Sequence, residues 1–371
     1  MTYRPVSFPV KDRPEFWRTL RKNVNQYFDD NNISPYGDRR MYFKTLIMLS
    51  IYLVPLGLML AGVVTNGWLV MLCWFIMGLG AAGIGMGVMH DANHGAYSSD
   101  ANTNRLVGYV LNILGGLAIN WKIQHNKQHH SYTNIHHHDG DISPGFFLRF
   151  SPHSKWYPFH RFQHIYAWFL YGLQTLAWAT IKDFKKMTEY YKKGLMGKEG
   201  KKIYKWIGIL VVQKVFYFSI FLVAPIMLTD IPVYQIILGW LLMHFTAGLI
   251  LSAIFQLAHV MPMAEYPLPD ESLSMRDSWA IHQLQTTTNF APGKGLFGWF
   301  MGGLNHQVEH HLFPRICHVH YPEIAKIVSQ TAKDFNIPWH SIPTFGEALV
   351  QHVKMLHYLG QNPATNPQLK V

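Results

Sequence analysis

Twenty-two histidines are spread through 371 residues, and several recur at spacings that suit a metal. "HDANH" sets His90 and His94 four apart, and "HNKQHH" supplies His125, His129 and His130. "NHQVEHHLFP" adds His306, Gln307, His310 and His311, and His259 stands in "FQLAHV". With so many histidines, a pair at one fixed spacing arises about once by chance, whereas a fixed triple arises in fewer than about one such chain in ten. On a helix, residues i and i+4 share a face about 5.4 Å apart, so His90 with His94, and His125 with His129, can each present two imidazoles to one region. Neutral imidazole suits iron, zinc and copper. Two, three, one and two histidines make eight ligands, about twice what a four-coordinate zinc takes. Shared between two metals, they leave open positions for oxygen and substrate. That pattern points to iron and dioxygen chemistry rather than structural zinc.

The elements that must position these residues are membrane spans. Hydrophobic residues make up 49% of the chain and charged residues only 14%, and the apolar residues fall in long blocks rather than in amphipathic periods. Four blocks reach the roughly 20 residues that a helix needs to cross the hydrocarbon: 45–65, 68–88, 206–228 and 234–258. Two shorter ones, 106–119 and 165–181, read as interfacial or re-entrant helices. Of 32 Lys and Arg, nine precede the first span, 15 lie in 89–205 and seven follow the fourth; only Lys214 falls inside a span. The positive-inside rule makes that side cytoplasmic, termini included. Every histidine group falls on the same side. Basic residues beside a membrane favour anionic headgroups, which accounts for the net charge of +11 without nucleic acid, and no recognition motif accompanies the charge. The opening residues carry no signal-peptide pattern, and two distant cysteines exclude a disulfide framework. The expected fold is an all-α integral membrane protein. Four helices form two hairpins, 45–94 and 206–259, under a cytoplasmic helical cap that holds a histidine-rich two-metal site. The expected division is a cytoplasmic segment 1–44, a functional domain 45–330 and a cytoplasmic segment 331–371.

"HDANH", "HNKQHH" followed by "SYTNIHHHDGD", and "QVEHHLFP" resemble the three histidine boxes of the membrane fatty acid desaturase family, over roughly 45–330. The resemblance implies a non-haem di-iron centre that uses O₂ and two external electrons to remove two hydrogens from an acyl chain. By it His90, His94, His125, His129, His130, His310 and His311 are ligands, His259 matches a further ligand position, and no catalytic residue is needed beyond the metal centre. Gln307 opens the third box where many members carry histidine. That glutamine is similar to the front-end desaturases, which insert a double bond between an existing one and the carboxyl end. Many of those carry a fused cytochrome b5 domain with a His-Pro-Gly-Gly motif, which is missing here. Electrons are therefore expected from a separate ferredoxin or cytochrome b5 type protein. The substrate is expected to be an acyl-CoA or acyl-lipid drawn from membrane lipids, and a bacterial inner membrane is expected over endoplasmic reticulum.

Asp91, Glu309 and Asp141 could accept hydrogen bonds from the far nitrogen of a ligating imidazole, and His306 could replace Gln307 as a ligand. His136, His137, His138 and Asp139 read as loop residues or as hydrogen-bond partners of the ligating imidazoles rather than as ligands, and Asn289 as a neighbour of the metals. Lys214 is expected to snorkel, His244 to hydrogen-bond a neighbouring helix, and Gly83, Gly85 and Gly87 to permit close helix packing. Aromatic-rich "GFFLRF" and "KGLFGWFMGG" could wall an acyl tunnel or pack at the interface. A hydroxylase on the same scaffold is the nearest rival. A histidine-rich metal transporter is the rival from another class, and spans offering only Lys214 and His244 as polar groups count against it.

Overall fold

A computed structural model of the chain describes residues 4–9, 12–293 and 295–364. It is mostly helical, and among the described residues four helices are long and apolar enough to cross a membrane: Arg39–Leu60, Gly67–His94, Gly197–Leu228 and Val233–His259. The first starts where the Asp38 carboxylate accepts from Arg40 N at 2.9 Å, and the second where the Asn66 side chain accepts from Trp68 N at 3.0 Å. Their ends differ from the apolar blocks for local reasons. The first stops at Leu60 because Gly62, at φ 70°, turns the chain out of the helix. The second continues to His94 and stops at Gly95, at φ 77°, with Ala96 N donating to Asp91 O at 2.8 Å. His90 and His94 therefore ride the last turn of a span rather than a segment beyond it. A Cβ on Gly80 would lie 2.7 Å from Tyr52 N, so a bare glycine lets the first two spans touch.

Two π-helical turns accompany the first two histidine groups. One is Ile84–Val88, directly before His90, and the other is Ile123–His129, which carries His125 and His129. Such turns widen the helix locally and re-aim the side chains that follow. The second closes a bent pair, Ala101–Ile113 and Ala118–His129, with a bend of 110° at the break between them.

The chain forms two compact units. Asp38–Ile123 and Trp168–Ala253 make the first, with a core of Leu117, Ile123, Met187, Tyr190, Met196 and Leu210. Lys214 corrects an expectation here. It does not snorkel but is buried, and its ammonium donates to Asp183 at 2.9 Å, Gly115 O at 2.6 Å and Trp178 O at 2.7 Å. Asn120 donates to the same Asp183 carboxylate at 3.0 Å. His244 bonds Tyr217 Oη at 2.6 Å and Thr175 Oγ1 at 3.1 Å.

Arg4–Gly37, Gln124–Ala167 and Ile254–Val371 make the second unit. Helix Pro14–Asp30 buries Phe16, Leu20, Val24 and Phe28, one residue per turn, into a core with Ala280, Leu284, Val308, Leu312, Ile324 and Val328. Val308 and Leu312 anchor the short helix Gln307–Leu312, leaving His310 and His311 on the positions between them. Among the described residues, the departures from all-helix are a two-residue parallel pairing of Asn289–Phe290 with Ser341–Ile342 and a single bridge between Ser7 and Ser274.

Candidate metal centre

The second unit gathers imidazoles from three separate elements. His129 comes from the π-helical turn, His259 from the end of a span and His311 from helix Gln307–Leu312, and all three are buried. One ligand nitrogen from each can be chosen so that all lie within 4.8 Å of one another. Each ring is held by its Nδ1. His129 Nδ1 donates to the Asp139 carboxylate at 3.0 Å, His259 Nδ1 to Thr286 O at 3.4 Å, and His311 Nδ1 to Gln283 Oε1 at 2.8 Å. Acceptors that cannot donate fix the tautomer of the neutral ring, the form a metal takes, with the lone pair on Nε2. The Nε2 atoms of His129 and His259 are buried and have no hydrogen-bond partner. Leaving a buried polar atom unmatched costs about 1–3 kcal/mol, and a bound cation would remove that cost. The donor set fits a metal.

His125, His130 and His310 lie beside these. His130 Nε2 is 3.2 Å from His125 Nε2 and 2.9 Å from His310 Nε2, so three ligand-type nitrogens converge. The rings of His130 and His311 stack at 4.4 Å. His310 Nδ1 is 3.2 Å from the Tyr321 hydroxyl.

Carboxylates support the site unevenly. Asp139, expected as either a loop residue or a partner of a ligating imidazole, is the hydrogen-bond acceptor of His129. Asp141 stands 3.8 Å from that imidazole and takes a hydrogen bond from Gln124. Burial alone would raise the Asp139 pKa, but the adjacent His129 and the amides of Asp141 and Asn134 hold it below the ordinary carboxylate value. Glu309 is held by two neutral side chains. Its carboxylate accepts from Asn289 Nδ2 at 2.7 Å and Trp339 Nε1 at 3.4 Å, and lies 3.8 Å from His306 Nδ1. Burial pushes its pKa up to about 7. Asn289 also accepts from Val308 N at 2.9 Å, so it ties the strand pair to the third-box helix. Neither ring nitrogen of His306 and neither polar atom of the Gln307 amide has a hydrogen-bond partner, although both residues are buried.

In the first unit His90 and His94 face one way, as their spacing requires, with ring centroids 4.8 Å apart and each 5.6 Å from the Trp121 ring. Asp91 Oδ1 is 3.8 Å from His90 Nδ1, too far for a hydrogen bond. Sequence reasoning also missed Gln283 and Thr133. Thr133 Oγ1 donates to Gln283 Oε1 at 2.9 Å, the same oxygen that receives His311 Nδ1–H. "HQLQTTTNF" is polar enough to have flagged this segment, but no spacing rule singles out Gln283. His136 and His137 have ring centroids 3.8 Å apart and are not fully buried.

These observations define a membrane protein with buried histidine clusters able to hold metal. The fatty acid desaturase family profile matches residues 66–343. The sn-1 linoleoyl-lipid 6-desaturase of Arthrospira platensis is 35% identical over 355 residues, covering 94% of each chain. The enzyme of that name from Synechocystis sp. is 32% identical over 349 residues, 93% of this chain and 96% of the relative. An acyl-lipid (8-3)-desaturase of Physcomitrium patens is 33% identical over 371 residues, 96% of this chain and 74% of the relative. The chain belongs to the membrane fatty acid desaturase family and is an oxidoreductase.

Proposed function

We propose that the protein is an acyl-lipid desaturase of the front-end type, taking electrons from a separate ferredoxin or cytochrome b5 type protein. His90, His94, His125, His129, His130, His259, His310 and His311, with Gln307, hold two non-haem irons on the cytoplasmic face. One observation carries this reading most strongly. His129, His259 and His311 come from distant parts of the chain, yet their ligand nitrogens lie within 4.8 Å of one another in a member of the desaturase family. Three relatives that align along most of this chain all bear acyl-lipid or linoleoyl-lipid desaturase names, which favours a glycerolipid-bound chain over an acyl-CoA.

Bound by these residues, ferrous iron supplies the two-electron activation of O₂ needed to take hydrogen from an unactivated methylene. The protein's own part is positional. Asp139, Thr286 O and Gln283 keep their imidazoles in the tautomer that offers Nε2 and hold each ring against rotation. Burial of the imidazoles excludes water that would compete for open ligand positions. Gln307 adds a neutral amide oxygen where an imidazole would bind more tightly, which leaves room at the site.

The test is lipid profiling of a host expressing the wild type or His310→Ala. A polyunsaturated product 2 Da lighter than its precursor, present only with the wild type, is the expected result. A product 16 Da heavier identifies a hydroxylase, and unchanged products in the variant refute the site.

A further inference from the structure

Five residues after Asp141, the second unit turns a set of aromatic side chains outward. Phe146 is 56% exposed, Phe147 54%, Phe159 37% and Phe162 47%. Monomeric surfaces rarely leave so many large rings together without a use for them. Phe146 lies 4.0 Å from Phe147 and 6.2 Å from Phe159 between ring centroids, and Tyr157 stacks on Phe159 at 5.7 Å. These four rings form one patch, and Phe162 lies one 3-10 turn beyond Phe159.

The patch is not a loose loop. Beneath it Arg149 is 1% exposed and donates to Ser154 O at 2.8 Å, Leu359 O at 2.7 Å and Pro152 O. Gln163 donates to Leu356 O at 2.8 Å, and Trp156 Nε1 to Gly360 O at 2.8 Å, so the C-terminus of helix Phe345–Gly360 is capped by the underside. A Cβ on Gly360 would fall 2.4 Å from His160 O. The backbone carbonyls of Phe146 and Phe147 are each fixed, the first by His160 Nε2 at 2.8 Å and the second by Tyr166 Oη at 2.7 Å. The outward direction of both phenyl groups is therefore built in.

Charge identifies the occupant. No Asp or Glu occurs between Asp141 and Asp183. Within the patch Lys155 Nζ stands 5.2 Å above the Tyr157 ring, and the Arg161 guanidinium 4.6 Å above Phe162. Cations that lie over aromatic rings at the edge of an apolar surface match the boundary between headgroups and acyl chains. The stripe continues to Ile165, 65% exposed, on the first turn of helix Gln163–Gly172.

We propose that residues 146–165 form a preformed lipid-contact platform that inserts Phe146, Phe147, Phe159 and Phe162 into the headgroup–acyl boundary of an anionic bilayer. Lys155 and Arg161 meet the headgroups. The platform follows the second histidine box directly along the chain, so the acyl-chain source is brought to that part of the enzyme. This inference does not depend on which metal is bound or which carbon is oxidised.

The experiment uses the full-length protein in phosphatidylcholine vesicles with and without phosphatidylglycerol. Phe147→Cys and Phe162→Cys carry an environment-sensitive fluorophore, with Glu271→Cys as the exposed control. Brominated lipid should quench the labels at 147 and 162 severalfold more than at 271, and iodide should do the reverse. Lys155→Glu and Arg161→Glu should each reduce the lipid-immersed fraction about fivefold in phosphatidylglycerol vesicles and little in phosphatidylcholine alone. Labels at 147 and 162 quenched by iodide as readily as the control would overturn the proposal. So would labels that stay aqueous in vesicles and become shielded only when an electron-carrier protein is added, since that marks a protein docking site.

Discussion

His244 and His259 stand on one helix, Val233–His259, and differ in what their nitrogens touch. His244 has both nitrogens engaged, by Tyr217 and Thr175, and Trp240 donates to the same Tyr217 hydroxyl at 3.0 Å. The Lys214–Asp183 cluster of the same unit is closed in the same sense, because the ammonium donates its three protons to three oxygens. His259 and His129 each have one nitrogen engaged and one buried without a partner. Burial alone does not distinguish scaffold from chemistry; hydrogen-bond accounting does. A closed cluster supports the fold, whereas an open one leaves donor atoms for something the chain itself lacks.

The comparison can be broken most sharply at the open site. His259→Ala or His311→Ala should abolish desaturation and lower bound iron from about two per chain to about one or none, with little loss of folded protein, as read by metal analysis and size-exclusion yield. At the closed site the outcome should reverse. Lys214→Met leaves Asp183 buried without its partner and should destabilise by about 3–5 kcal/mol, while the double change Lys214→Met with Asp183→Leu should regain most of it. Thermal unfolding in detergent checks both, and the material that folds should still bind iron.

The sequence carried the open site better than the closed one. Apolar runs mark the spans, and short-range spacing marks His90 with His94 and His125 with His129, because both signals are local. Pairings across long separations leave no such mark. Lys214 to Asp183 and His311 to Gln283 depend on packing, and so does the choice of Asp139 over Asp141, two acids that are alike on paper. The π-helical turns were invisible for a related reason, since no residue pattern in "IGMGV" or "IQHNKQH" separates a π turn from an α turn. "GFFLRF" could be read as tunnel wall or interface, and the exposure of Phe146 and Phe147 places them on the surface.

Smaller effects sharpen the same contrast. Asp139→Asn should weaken iron binding by about 10–100-fold with the fold intact, measured by chelator competition, because it removes the anionic acceptor that orients His129. His352 gives a pH test at a histidine that is not itself a proposed ligand. Its Nδ1 donates to Val260 O at 2.9 Å, and burial lowers its pKa from 6.5 to about 4, against the opposing effect of that bond. A depressed histidine pKa favours the neutral folded form, so its contribution is present above about pH 6.5 and fades as the pH falls toward 4. Over that window the wild type should lose about 3 kcal/mol more than His352→Gln, as followed by unfolding at stepped pH.

Metal analysis of the purified wild type beside a His129→Ala, His259→Ala, His311→Ala triple variant tests the histidine assignment most directly. The wild type should carry about two irons per chain, and the triple variant at most about one, with its spans still folded by circular dichroism. Two irons retained by the triple variant, or zinc in place of iron in the active wild type, would contradict it.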